Sequence, residues 1–280
     1  MVEKKVEVVG LEKEVEMVGV VEVVGHYTYT LENDNKKKIL ALATRRSSMA
    51  PTIRTVATYN THQEHTVDFF GNEFTVTVTR STSVITRWIN NVQYYNHYSS
   101  SHPLVVGVGV QWTPAGYHPI YLCDNCYYAD PSPGSYYNAD PEADTLQLCV
   151  GTRCLVIQLS HCDDVPDELR SFLTDPRTVY VGFWNGQDAG KLARSRHGLE
   201  IGELLDLRNY VQDSGGFGMS RCSFEEMVEE CMGYQGVRLD RGISMSDWSA
   251  YELDHEQILQ ASVDAYVCFE LGVWVRLWEY

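Results

Sequence analysis

The run Leu104-Val105-Val106-Gly107-Val108-Gly109-Val110-Gln111-Trp112 constrains the fold of this chain more than any other segment. It is continuously apolar, without the alternation of a half-exposed strand. Such a run predicts a strand buried on both faces. The segments around it supply the rest of a sheet. Thr66 to Phe70 and Phe74 to Thr79 alternate around a turn at Gly71-Asn72 and predict a hairpin. A second hairpin is predicted from Thr145–Val150 and Cys154–Leu159, turning at Gly151-Thr152. Val179 to Phe183 reads as another buried strand, and Glu203 to Leu207 as a strand or its edge.

Helical spacing separates these strands. Val84, Ile85, Trp88, Ile89 and Val92 fall on one helical face between Ser83 and Tyr94. Pro166 opens a short helix through Leu173, where its missing N–H costs nothing. Asp188 to about His197 reads as a helix. Ser223-Phe224-Glu225-Glu226 is a capping box that starts a helix to Cys231. The last predicted element is a long apolar helix from about His255 to Trp278. Strands alternating with helices in this order predict an α/β fold, a mixed sheet flanked by helices.

Two regions stand apart. Residues 1–48 carry a crude Val-Glu-Val-Val-Gly repeat, then Lys36-Lys37-Lys38 and Arg45-Arg46. They read as an N-terminal appendage, poorly ordered or loosely docked, before a domain over 50–280. Residues 113–143 are rich in Tyr, Pro, Asp and Asn and read as a long inserted loop. That loop is either a set of stacking surfaces for bases or a surface insertion.

Charge narrows the function classes. The chain has 22 Lys+Arg against 38 Asp+Glu, a net of −16. Acids and bases balance in residues 1–50, so the whole excess falls on the remainder. Non-specific coating of nucleic acid, which runs on phosphate neutralisation, is therefore excluded. A small basic or metal-lined cleft is not. No membrane span and no apolar leader segment are predicted, so the expected location is intracellular, in cytoplasm or nucleus. In a reducing compartment the eight cysteines read as thiols. Cys123 and Cys126 are the one close pair. Lacking a second pair or a His pair, they read as a loop pair and not a zinc site.

No phosphate-binding glycine loop, nucleophile elbow or His-Glu-x-x-His motif occurs. From Leu104 to about Gly272 the chain instead resembles the DEDD-type 3′-5′ exonuclease domain. The resemblance is carried by Val105-Val106-Gly107-Val108, Gln111-Trp112, Thr145 to Gly151, Leu169 to Leu173, Val181-Gly182, Asp188-Ala189-Gly190-Lys191-Leu192, Leu205 to Arg208 and Val263-Asp264-Ala265, in family order. It is similar to the Werner-syndrome-type branch. A plant branch that clears RNA fragments from the silencing complex resembles it through Trp184-Asn185-Gly186-Gln187-Asp188 and Val228-Glu229-Glu230-Cys231.

This resemblance implies a ribonuclease H-like fold and two-metal-ion hydrolysis at the 3′ ends of single-stranded RNA or DNA, with Mg²⁺ or Mn²⁺ held by four carboxylates. It also implies homo- or hetero-oligomers with related exonucleases. Carried onto this sequence, the motif of the first strand falls on Gly109-Val110-Gln111, where neither carboxylate is present. The second falls on Asp188. The third falls on Asp264, with Gln260 in place of the water-orienting Tyr four residues earlier. Asp188 and Asp264 are thus the expected catalytic and metal-binding residues, and Gly109, Gln111 and Gln260 the degenerate positions. Ligand charge drops from about −4 to about −2 against two dications.

Three readings stand open. In the first, the cleft binds nucleic-acid ends with weak or absent hydrolysis. In the second, an active exonuclease has a rearranged site, into which Asp140, Glu142 or Asp144 swings. In the third, the chain is an interaction subunit that assembles with active relatives. Asp188 as a simple helix start and Asp264 paired with a metal or an Arg are the competing local readings. Asp206 and Glu203 read as structural, and Trp112 as core.

Overall fold

The computed structural model describes residues 50–99, 102–115, 117 and 140–280. The expected appendage over 1–48, the Cys123/Cys126 pair and most of the Tyr-rich insertion lie outside these residues.

The described residues form an eight-stranded sheet: β1 Thr52–Thr58, β2 His62–Phe69, β3 Asn72–Thr79, β4 Val105–Gln111, β5 Thr145–Val150, β6 Arg153–Gln158, β7 Val179–Gly182 and β8 Leu204–Asp206. The helices are α1 Thr82–Ser99, α2 Asp167–Leu173, α3 Asp188–Arg194, α4 Phe224–Met232, α5 Arg241–Ser244 and α6 His255–Trp274. The strand order is β1-β2-β3-β6-β5-β4-β7-β8. Within it, β6-β5-β4-β7-β8 has β5 antiparallel to its neighbours and β4, β7 and β8 parallel. This is the ribonuclease H-like mixed sheet that the resemblance implies. The strands β1 to β3 extend it, with β3 parallel to β6.

The unbroken apolar run of β4 now has its physical reason. Val106, Val108 and Val110 pack with Ile85, Ile89, Leu169 and Phe172 from α1 and α2 on one side of the sheet. Val105 packs with Ala261, Ala265, Cys268 and Leu271 of α6 on the other. Both faces are covered, so neither can be polar. Gly107 is required by that packing. A Cβ there would lie 1.9 Å from the Ala265 carbonyl oxygen and 2.6 Å from the Phe269 nitrogen. The backbones of β4 and α6 therefore meet directly at this point, which sets where Asp264 stands.

Several boundaries differ from expectation. β1 was not predicted; it is a mostly exposed edge strand with little alternation to reveal it. The first hairpin turns on Phe70 and Gly71, both at positive φ, with Asn72 already in β3. Phe70 tolerates this uncommon conformation while stacked on Tyr234 with centroids 4.4 Å apart. Pro166 is the residue before α2 and not its first. α3 stops at Arg194, because Ser195 turns extended and its hydroxyl donates to the Leu192 carbonyl at 2.6 Å. α6 ends at Trp274, before the left-handed Arg276. The expected capping box of α4 is present, and Asp254 with Gln257 forms another on α6.

The expectation of thiols throughout fails at Cys149 and Cys154, which form a disulfide. They are directly opposed in the β5–β6 hairpin with Cα atoms 4.2 Å apart. Among the described residues Cys162, Cys222, Cys231 and Cys268 are outside any disulfide. Among the described residues no helix is long and apolar enough to cross a membrane.

Candidate active site

The parallel strands β4, β7 and β8 end at Gln111, Gly182 and Asp206. A crevice at the carboxyl ends of parallel strands is the usual ligand position in open α/β sheets. Here α3 begins just beyond β7, and α6 crosses β4 at Gly107. The fold therefore delivers Asp188 and Asp264 to one place.

Both carboxyl groups are nearly buried, each with 7% of its surface exposed. Burial raises Asp188 to about 7, and repulsion from Asp206 adds to the rise. Burial raises Asp264 to about 8, with repulsion from Asp188 second and the Cys268 thiol opposing. Asp188 occupies the first turn of α3 as its helix-start reading requires. Its buried carboxyl is nonetheless electrostatically joined to Asp264 and Asp206. Among the described residues Asp264 has no Arg partner; the Cys268 Sγ donates to it at 3.9 Å. Asp206 is more than a strand-end residue. It receives Nε and a terminal nitrogen of Arg208 at 3.0 and 2.5 Å.

Gly109 faces this pair. A Cβ built on it would stand 3.4 Å from Asp264 Oδ2 and 2.9 Å from Gln147 Oε1. Gln147 lies on β5 directly opposite Gly109 in the ladder. Its side chain is fully buried and takes the space a longer residue at 109 would need. Its Nε2 donates to Thr145 Oγ1 at 2.6 Å, while its Oε1 has no hydrogen-bond partner among the described residues. A buried acceptor left unpaired costs about 1–3 kcal/mol. Sequence reasoning missed Gln147. Its register opposite Gly109 is set across the long connection from β4 to β5, so no local signal marks it.

Gln260 is committed elsewhere. Its Oε1 accepts from the Asp240 backbone N–H at 2.6 Å, and its Nε2 donates to Ser244 Oγ at 2.8 Å. It fixes the loop carrying α5. Gln111 lies at the mouth, half-buried, and lines a cavity of about 420 Å³ with Trp112, Gln187, Lys191 and Met245. Trp112 is thus partly core and partly cavity wall. Lys191 is almost fully buried, lies 4.7 Å from the Trp112 ring centre, and pairs with Asp140. Asp140 is also held by Arg194. Asp144 accepts from the Thr113 N–H at 2.6 Å and the Ser160 hydroxyl at 2.5 Å. Glu142 is exposed.

A family model described as 3′-5′ exonuclease matches residues 132–277, just over half of the chain. A 3′-5′ exonuclease of Drosophila mojavensis is 27% identical over 143 residues, which cover 48% of this chain and 42% of that protein. The Drosophila melanogaster counterpart is 26% identical over 143 residues, covering 48% and 39%. The match thus spans less than half the length of these relatives. Among solved structures, the Aedes aegypti Nibbler EXO domain aligns at 14% identity and TM-score 0.49, covering 71% of this chain and 86% of that one. The catalytic core of RRP6 from Trypanosoma brucei aligns at 13% identity and TM-score 0.49, covering 90% and 56%. By its match to that family model over just over half of its length, the chain belongs to the 3′-5′ exonuclease family.

Proposed function

We propose that this domain receives the 3′ end of single-stranded RNA or DNA in the crevice beside Asp188 and Asp264, and hydrolyses it weakly or not at all. The observation that carries this reading is at Gly109. The position offers no ligand, and the buried Gln147 side chain fills the space in front of it.

Mg²⁺ or Mn²⁺ takes oxygen ligands, one or two carboxylates per ion besides water and substrate phosphate, so a pair of ions draws on several carboxylates. The side chains present do not fit that demand. Asp188 and Asp264 remain, Asp206 is engaged by Arg208, and Gln111 offers only a neutral amide oxygen. Among the described residues no cluster of three or more His, Cys, Asp or Glu is placed to hold a metal ion. Gln260, tied to Asp240 and Ser244, is not free to orient a water. The acids that could rebuild the site are also unsuited. Asp140 and Asp144 are bound to other partners, and Glu142 points to solvent.

The test is digestion of 5′-labelled single-stranded RNA and DNA in Mg²⁺ and in Mn²⁺. Wild type runs beside Gly109→Asp/Gln111→Glu, the same pair with Gln147→Ala, and Asp188→Ala/Asp264→Ala. The reading expects a silent or barely active wild type and gained activity once carboxylates and space are both restored. Wild-type laddering from the 3′ end that disappears in the double-Ala variant overturns it in favour of a rearranged active site. Filter binding at low salt completes the test. A wild type with no affinity for either strand leaves the interaction-subunit reading instead.

A further inference from the structure

Trp184 stands two residues beyond the end of β7 and four before Asp188, with 59% of its surface exposed. Its backbone is held at φ 52°, a left-handed conformation uncommon for a bulky residue. Strain of this kind persists only where the surroundings over-determine it. Here they do. Asn185 is buried and its amide donates to the Leu205 carbonyl at 2.8 Å. Its carbonyl in turn accepts from the Asp188 N–H at 3.0 Å. The loop that presents Trp184 is thereby anchored to β8 and to α3 at once.

The inner face of the indole is backed. The Arg208 guanidinium lies 3.4 Å from the Trp184 ring centre. Arg208 does not wander: its Nε and one terminal nitrogen bind Asp206, and the other donates to the Ser220 carbonyl at 2.7 Å. Only 12% of the Arg208 side chain is exposed. Phe183 meets the indole at an angle, ring centroids 6.4 Å apart, and most of the Trp184 surface stays open to solvent. The indole is an exposed apolar plate backed by Arg208, on the loop between β7 and α3 four residues before Asp188.

We propose that the outer face of Trp184, backed by Arg208, is a stacking platform for one nucleobase of the strand whose end lies at Asp188. This rests on the function proposed above and adds to it the feature that recognises the strand. It fits the charge of the chain. A net of −16 gives little phosphate attraction, so base stacking must carry a larger share of affinity. Arg208 is itself neutralised by Asp206 and serves as the backing of the plate, not as a phosphate ligand.

The experiment measures binding of 5′-fluorescein single-stranded RNA and DNA octamers by anisotropy, in Ca²⁺ and in EDTA, across a salt series. Wild type is compared with Trp184→Phe, Trp184→Leu, Trp184→Ala and Trp184→Gly. Gly accepts φ 52° without strain and keeps the test valid should Ala unfold the loop. Leu keeps an apolar cover over Arg208 without a π face. Ala, Gly and Leu are expected to weaken binding about 5- to 150-fold, and Phe to retain most of it. The slope of affinity against salt should not change, because no phosphate contact is lost. Octamers with abasic nucleotides near the 3′ end should bind wild type as weakly as intact octamers bind Trp184→Ala, with no further loss in that variant. Equal binding of intact octamers by wild type and Trp184→Ala overturns the platform while leaving the proposed function in place. So does an equal loss for intact and abasic strands. Absence of binding by every form, wild type included, removes the proposed function and the platform with it.

Discussion

Replacing Asp264 by Asn should stabilise this protein, and by more as pH rises. The carboxyl is buried in the middle of α6, and its pKa stands at about 8 against an ordinary value of 3.8. Below about 4 both folded and unfolded chains hold the proton, and the group costs nothing. Above that the unfolded chain ionises while the folded chain keeps its proton. Stability is therefore lost as pH rises from about 4 toward 8, at about 1.4 kcal/mol per pH unit. Over the whole window Asp264 alone costs on the order of 5 kcal/mol. Asp188, raised to about 7, acts in the same direction. The two costs do not add in full, because each includes repulsion from the other.

Asn keeps the shape of Asp264 and removes the proton equilibrium. The difference in unfolding free energy between Asp264→Asn and wild type should be about 2 kcal/mol at pH 5 and about 5 kcal/mol at pH 8. Urea unfolding at both pH values, in EDTA, measures it. Glu270→Gln is the control. Glu270 is also raised by burial, to about 7, with a Tyr266 hydrogen bond opposing. It lies outside the crevice set and should leave the Asp264 increment unchanged. A gain from Asp264→Asn that is the same at pH 5 and pH 8, or a loss at both, refutes the account of Asp264 as a buried acid kept protonated by its surroundings. The same titration can be repeated in Mg²⁺. An ion held by Asp188 and Asp264 would stabilise wild type in proportion to RT ln(1 + [L]/Kd) and cancel the advantage of Asn at pH 8. The proposed function expects the advantage to survive.

Gly107→Ala should cost several kcal/mol, because its Cβ meets backbone atoms of α6 and cannot be accommodated by a side-chain shift; a thermal midpoint within a degree or two of wild type would show that α6 sits farther from β4. The Cys149–Cys154 disulfide closes a loop of about six residues and should contribute about 2 kcal/mol. Urea unfolding with and without dithiothreitol checks this, with Cys149→Ser/Cys154→Ser expected to be insensitive to reductant. No effect of dithiothreitol on wild type would mean the pair is already reduced or adds nothing.

How much of this was legible in the sequence depended on how local the cause was. The β5–β6 hairpin and the α4 capping box were readable because each is decided by a few neighbouring residues, such as Gly151 and Ser223 with Glu226. Asp188 and Asp264 were readable through family motifs, and the fold does bring them together. β1 was not, because an exposed edge strand carries no hydrophobic period. The disulfide was not, because it follows from hairpin register and not from spacing alone. Asp206 read as structural from its place at a strand end, whereas its repulsion of Asp188 crosses from β8 to α3.

Gly109 shows the limit most sharply. From sequence it is a missing ligand, a deficit of one carboxylate. In the fold it is also a missing volume, and Gln147 on the neighbouring strand has entered it. Restoring Asp at 109 alone sets a new Cβ 2.9 Å from Gln147 Oε1. That side chain is fully buried and tied through its Nε2 to Thr145. It must swing away or lose that hydrogen bond, and the new carboxylate then faces Asp264 without a bridging charge. Ligand loss and cavity filling therefore reinforce each other. The single reversal Gly109→Asp should be destabilising and inactive, whereas the combination with Gln111→Glu and Gln147→Ala removes both obstacles. If Gly109→Asp alone were as stable as wild type, Gln147 would be a mobile bystander, and the vacancy at 109 would be a matter of charge only.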